Sequence, residues 1–235
     1  MNRSFAIVSG KGGVGKTTAA LNLAVSAVQV GTSAVVVDAA LHAPNVGVHL
    51  GSPRLGATLH DLLAGKKQPH EAIYLHPSGM RVLPAGLAVD HDAPVSLENL
   101  SSIVESLRER SELVIVDASP GLGPDVSHAL LAAGNALLMT TPDLPAVSGA
   151  LRVKTLCDHL GVPIAGVLLN RVRFDDVELS KENVASLLDL PVIAMIPDDD
   201  AVRRSHRLRH PVTHTHPMSP AALAFKSAAA DIIRS

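Results

Sequence analysis

GKGGVGKTT occupies residues 10–18. Gly10, Gly15, Lys16 and Thr17 fit the spacing G-x-x-x-x-G-K-[ST]. The run SFAIVS (4–9) before it reads as a buried strand, and the residues after it read as a helix. Strand, glycine-rich turn and helix in this order make a phosphate cradle. The glycines let the backbone curl so that its N–H groups face phosphate oxygens. The helix adds its positive N-terminal end. Lys16 supplies a mobile charge for β- and γ-phosphates, and the Thr17 hydroxyl can ligate Mg²⁺.

Outward from this loop, short apolar runs alternate with helical patterns. SAVVVD (33–38), ELVIVD (112–117), ALLMTT (136–141), PIAGVLLN (163–170) and PVIAMIP (191–197) are almost continuously apolar. That is the signature of parallel strands covered on both faces. Leu97, Leu100, Ile103, Val104 and Leu107 repeat at helical spacing, as do Val147, Ala150, Leu151, Lys154 and Cys157. Gly161 stands where a helix C-cap is expected. The alternation predicts a doubly wound α/β fold, with a mostly parallel sheet and helices on both faces. Residues 39–95 are irregular, with one short helix over TLHDLLAG (58–65) and two short strands expected. No repeat or boundary interrupts the chain, so one domain over 1–235 is expected.

Composition narrows the function. Hydrophobic residues make up 47% and aromatics only 2%, so aliphatic side chains and Ala must fill the core. A net charge of −2 argues against a chain built to grip nucleic acid. Cys157 is the only cysteine and forms neither an internal disulfide nor a cluster site by itself. No apolar run reaches the roughly 18 residues of a membrane span, and the N-terminal run is too short for a signal peptide. A cytoplasmic protein is expected.

An ordinary phosphate loop has no use for Lys11. With it, KGGVGKTT (11–18) resembles the deviant Walker A motif of the MinD/ParA family of ATPases. ELVIVDASPGLG (112–123) is similar to that family's Walker B strand and switch II. HAPNVGVHLG (42–51), TTPDLPAVSGALR (140–152), LLNR (168–171) and IPDDDAVRRS (196–205) continue the likeness over most of the chain. Order and spacing fit MinD better than its relatives, since the iron–sulfur and tail-anchored-protein branches use cysteine pairs.

The resemblance implies ATP and Mg²⁺ as cofactors and P-loop NTPase architecture. Gly10, Lys11, Gly12, Gly13, Val14, Gly15, Lys16, Thr17 and Thr18 would wrap the phosphates. Asn170, Arg171, Pro197, Asp198 and Asp199 would hold the base. Thr17, Asp38 and Asp117 would support Mg²⁺, Asp117 through a water. Lys11 would reach across an ATP-bound homodimer to the partner's phosphates. An activating or recruited protein partner would complete the cycle, at the membrane periphery where a targeting element exists. The chain stops at Ser235, before such an element is expected.

One family feature is missing. Switch I usually carries two carboxylates as D-x-D, but VVVDAALHAPN (35–45) carries Asp38 and then Ala40. A methyl group accepts no hydrogen bond from water, and positioning is a large part of phosphoryl transfer. ATP binding with slow hydrolysis is therefore expected. Two explanations fit: an introduced Asp→Ala change that traps the ATP-bound dimer, or a natural one-way binding switch.

Other signals are weaker. Asp198, Asp199 and Asp200 suit a helix N-terminus better than a metal. SHRLRHPVTHTHP (205–217) reads as a solvated loop, although His214 and His216 alternate as metal ligands on a strand would. That histidine-rich stretch is the sole support for a metal-insertion ATPase. Arg203, Arg204, Arg207 and Arg209 read as a solvated helix face. A DNA-partitioning ATPase of ParA type, the alternative they raise, lacks interleaved aromatics and a basic overall charge. SPAALAFKSAAADIIRS (219–235) reads as a helix packed on the sheet, without the cationic face of a membrane-surface helix.

Overall fold

Each of the six apolar runs forms a strand because both of its faces are covered. The computed structural model describes residues 3–52, 56–86 and 96–234. The chain begins with β1 (Arg3–Val8), α1 (Lys16–Gln29) and β2 (Ala34–Asp38). Three short helices follow, α2 (Val46–His49), α3 (Leu59–Leu63) and α4 (Pro69–Ala72). Then come two short strands, β3 (Tyr74–Leu75) and β4 (Arg81–Leu83). Next are α5 (Asn99–Arg108), β5 (Leu113–Asp117), α6 (Pro124–Ala133), β6 (Ala136–Thr140) and α7 (Leu144–Leu160). The last part contains β7 (Ile164–Val172), α8 (Lys181–Leu188), β8 (Val192–Pro197), α9 (Asp200–Leu208), α10 (Val212–Thr215) and α11 (Pro220–Arg234).

The sheet has the order β3-β4-β2-β5-β1-β6-β7-β8. Only β3 and β4 pair antiparallel. The doubly wound, mostly parallel expectation is therefore met. β2, β5 and β6 are buried at every position. Alternate residues of β1 enter two cores. Ala6 and Val8 pack with Leu100, Leu130, Val153 and Val184 of α5 to α8. Phe5 and Ile7 pack with Leu23 of α1, Ala201 of α9 and Phe225 of α11. Small residues let α11 lie close to α1: Ala221, Ala222, Ala228 and Ala229 are all buried. The terminal helix thus packs as expected. Among the described residues no helix is long and apolar enough to cross a membrane.

This winding creates the site. The helix after β1 lies on one face, while α6 and α7, which follow its neighbours β5 and β6, lie on the other. The C-terminal ends of these central strands open a crevice, where ligands bind in open α/β sheets.

The reading of residues 205–217 as a solvated loop is corrected. Arg209 ends α9 in the left-handed conformation at φ 60°, and Pro211 starts α10. Val212 and Thr213 are fully buried. His214 packs against His76 and His210 at centroid distances of 5.8 and 5.5 Å, rather than alternating with His216 along a strand. The buried Asn22 of α1 draws this segment in. Its Oδ1 accepts from Thr213 N–H at 2.9 Å and from Thr213 Oγ1 at 3.0 Å. Its Nδ2 donates to Thr18 O at 2.7 Å.

Asn22→Ala strands a buried backbone donor, so it should cost about 2–3 kcal/mol. Urea denaturation measures this, and an unchanged midpoint would show that α10 docks without Asn22.

Candidate functional site

The glycine-rich loop is held by close contact. Gly15 sits at φ 103° as the N-cap of α1. A Cβ on Gly10 would lie 2.0 Å from Gly149 O in α7, so only glycine fits. From β7, Asn170 Nδ2 donates to Val14 O at 2.6 Å and fixes the loop from the other side. Ser9 Oγ donates to Lys11 O at 2.8 Å and accepts from Lys16 Nζ at 2.9 Å. Burial pushes the Lys16 ammonium below its ordinary pKa, and Asp117 opposes that shift.

Two carboxylates end neighbouring strands beneath the loop, with Asp38 of β2 in register with Asp117 of β5. Both are buried. Asp38 accepts N–H bonds from Ala40, Asn45 and Val46 at 3.2, 3.1 and 3.0 Å. Thr17 Oγ1 donates to Asp117 Oδ2 at 2.5 Å. Burial pushes both carboxyls above the usual carboxylate range, and Asp117 raises Asp38 further. The buried Asp117 Oδ1 has no hydrogen-bond partner among the described residues. That orphaned oxygen, a second carboxylate and a hydroxyl form a hard-oxygen set suited to Mg²⁺ or a water bound to it.

The crevice over this set has two lobes. The first, of about 330 Å³, is lined by Gly13, Gly15, Lys16, Thr17, Thr18, Ala40, Asn45, His49, Arg171 and His206, among others. The second, of about 310 Å³, includes Gly15, Thr18, Asn170, Arg171, Pro197, Asp198, Asp199 and His206. The first suits polyphosphate and the second a base with its sugar. Ala40 is 5% exposed, and its N–H is committed to Asp38. Its methyl offers a water nothing to bind.

Lys11 is placed differently. With Gly12 and Gly13 it lines a neighbouring cavity of about 620 Å³ beside the loop, which shares Gly13 and Arg171 with the first lobe. Its Nζ lies 3.6 Å from Asp143 Oδ1, and both side chains are about half exposed. Such an exposed pair holds the lysine only weakly.

The profile of the CobQ/CobB/MinD/ParA nucleotide binding domain matches residues 5–212. The chain belongs to that family. An uncharacterized ATP-binding protein of Methanocaldococcus jannaschii is 34% identical over 230 residues, 98% of this chain and 87% of the relative. The septum site-determining protein MinD of Pyrococcus horikoshii, complexed with Mg-ADP, superposes with a TM-score of 0.93. It is 30% identical, with 99% of this chain and 96% of that one covered. The MinC:MinD cell division protein complex of Aquifex aeolicus matches at TM-score 0.89 and 25% identity, covering 99% of this chain and 96% of that one.

In this CobQ/CobB/MinD/ParA member the sequence-predicted residues fall into three groups. Gly13, Gly15, Lys16, Thr17, Thr18, Ala40, Asn170, Arg171, Pro197, Asp198 and Asp199 line the two lobes. Asp38 and Asp117 lie buried beneath, and Gly10 serves packing. Lys11, Gly12 and Val14 line the neighbouring cavity. Asp199 also caps α9, its Oδ1 accepting from Ala201 N–H at 2.8 Å. Among the described residues no group of three His, Cys, Asp or Glu side chains is placed to hold a metal. Ser9, Asn45, His49 and His206 escaped the sequence reading. Ser9 was signalled only by its place before the loop, and His206 only by its helical spacing from Val202.

Asp117→Asn keeps an acceptor for Thr17 and removes the buried charge. It should weaken Mg²⁺-dependent nucleotide binding about 10–100-fold, as loss of a residue holding a metal-bound water does. Titration with and without Mg²⁺ tests this, and an unchanged Mg²⁺ effect would displace Asp117 from the metal site. The same pair fixes a pH dependence. The folded, metal-free chain keeps protons that the unfolded chain releases above the ordinary carboxylate value of 3.8. The pair's contribution to stability therefore falls as pH rises from there toward neutrality. Urea midpoints at acidic and neutral pH should show a smaller fall in Asp117→Asn than in the unaltered chain.

Proposed function

We propose that this chain is a MinD-like switch, one P-loop ATPase domain that dimerises on binding Mg-ATP and recruits a protein partner. The placement of Lys11 carries this reading. Lys16 points into its own phosphate lobe, whereas Lys11 lies outside that lobe on a weakly held, half-exposed ion pair. A lysine placed in this way is available to a second nucleotide across a dimer. Exposed Leu122, Leu144, Phe174 and Val177 lie in the segments after β5, β6 and β7, at the same end of the sheet. Such residues suit burial against a second copy.

In this reading the loop from Gly10 to Thr18 holds the phosphates. Thr17, Asp38 and Asp117 support Mg²⁺, while Asn170, Arg171, Pro197, Asp198 and Asp199 receive the base. The ion neutralises charge on the phosphates, and the chain's own residues orient them. Hydrolysis is slow because nothing at position 40 positions water. The MinC:MinD complex of A. aeolicus supports a protein partner, and spatial positioning at a division site or another cellular structure is the role this fits. Ala40 also favours a second reading, a chain that binds ATP and never hydrolyses it.

Solution mass with and without Mg-ATP, read together with the nucleotide retained, tests the proposal. The expected result is a dimer loaded with ATP, with Lys11→Ala remaining monomeric. Ala40→Asp should raise phosphate release about 10²–10⁴-fold. A dimer holding ADP would refute the role given to position 40, and the absence of any dimer would refute the switch. Failure of Ala40→Asp to speed release would favour the non-hydrolysing reading.

A further inference from the structure

The two lobes of the crevice share four lining residues: Gly15, Thr18, Arg171 and His206. A nucleotide with its polyphosphate over Lys16 and its base beside Asn170 must pass this junction. The part of a nucleotide that joins those two ends is the α-phosphate and ribose. Gly15 offers no side chain there, so the junction presents a hydroxyl, a guanidinium and an imidazole.

The imidazole is held in place from two sides. His206 Nε2 lies 3.3 Å from Thr18 Oγ1, in the first turn of the helix that follows the glycine-rich loop. Its ring rests on His49, with centroids 4.9 Å apart at 54°. His49 ends α2, whose first backbone N–H groups are bound by Asp38. His206 thus joins three segments where the two lobes meet: α9, the first turn of α1, and the segment that follows β2.

We propose that His206 is a nucleotide-binding residue, its ring nitrogen hydrogen-bonding the α-phosphate–ribose segment while His49 fixes the ring. This rests on the reading above that the crevice takes an adenine nucleotide. His206 would act on the part common to ATP and ADP, not on the terminal phosphates handled by Lys16.

The experiment measures Kd for ADP and for inorganic pyrophosphate, which has no third phosphate and no ribose, the latter by competition, in the intact chain and three variants. His206→Phe keeps a ring against His49 but has no nitrogen. His206→Ala removes both, and His206→Gln restores a donor. A hydrogen bond to a charged group predicts about tenfold weaker ADP binding for Phe and Ala. Gln should recover most of that loss, and pyrophosphate should bind all four proteins alike. Unchanged ADP binding by His206→Phe would overturn the inference, since packing alone would then suffice. An equal loss for pyrophosphate would also overturn it, by showing a general disturbance of the loop. If the unaltered chain binds neither probe, the crevice reading itself falls and this inference with it.

Discussion

Two carboxylates buried side by side set the terms for the whole site. Burying an ionised group costs several kcal/mol unless partners replace its water. The sheet imposes that burial by ending β2 and β5 in register, with Asp38 next to Asp117. Asp38 is answered by three backbone N–H groups, which fold the segment from Ala40 to Val46 around it. Asp117 is answered by a hydrogen bond from Thr17 and by the charge of the Lys16 ammonium, and its second oxygen has no hydrogen-bond partner among the described residues. The free chain therefore holds a site whose electrostatics are complete only with a cation. In the proposed reading Mg²⁺ would supply that charge, and the nucleotide phosphates would draw on the same lysine and hydroxyl.

The loop over these carboxylates is positioned by contact rather than by its own stiffness. Gly10 lies against the backbone of Gly149, and Val14 O is held by Asn170. One strand and one helix remote in sequence thus set the curvature of nine residues. The same packing explains why two lysines five positions apart have different surroundings. Lys16 begins α1 and is drawn inward to Ser9 and Asp117, while Lys11 leaves the loop on its outer side beside α7. One loop can then serve its own nucleotide and still present a cation outward.

Most of the fold was legible because its signals are local. Parallel strands with both faces covered read as unbroken apolar runs, and β2, β5 and β6 are buried throughout. The phosphate loop was legible because strand, glycines, lysine and hydroxyl are contiguous, and Asp38 and Asp117 because they terminate strands. Where a residue's surroundings depend on distant segments, the pattern gave nothing. The segment 205–217 has a polar composition, yet Asn22, almost two hundred residues away, buries its centre. His206 meets Thr18 across a separation of 188 residues, and no periodicity marks either as half of a pair. Lys11 was singled out by its position in the motif, but its pairing with Asp143 follows from how α7 packs on the loop.

The absent carboxylate at position 40 shows how scaffold and chemistry separate in this fold. The segment after β2 is organised by backbone donors from Ala40, Asn45 and Val46 to a single side chain, Asp38. The side chain at position 40 takes no part in that organisation, so alanine leaves the loop closed around Asp38. Its methyl still lines the phosphate lobe, beside the residues that would hold nucleotide and metal. Alanine at 40 therefore offers no side-chain acceptor in the crevice and leaves the bonds to Asp38 in place. A change at 38 would release three backbone donors, two of them buried, and loosen that wall. In the proposed reading, binding would reside in the buried, doubly supported groups, and the chemical step would depend on one lining position whose side chain the loop does not use.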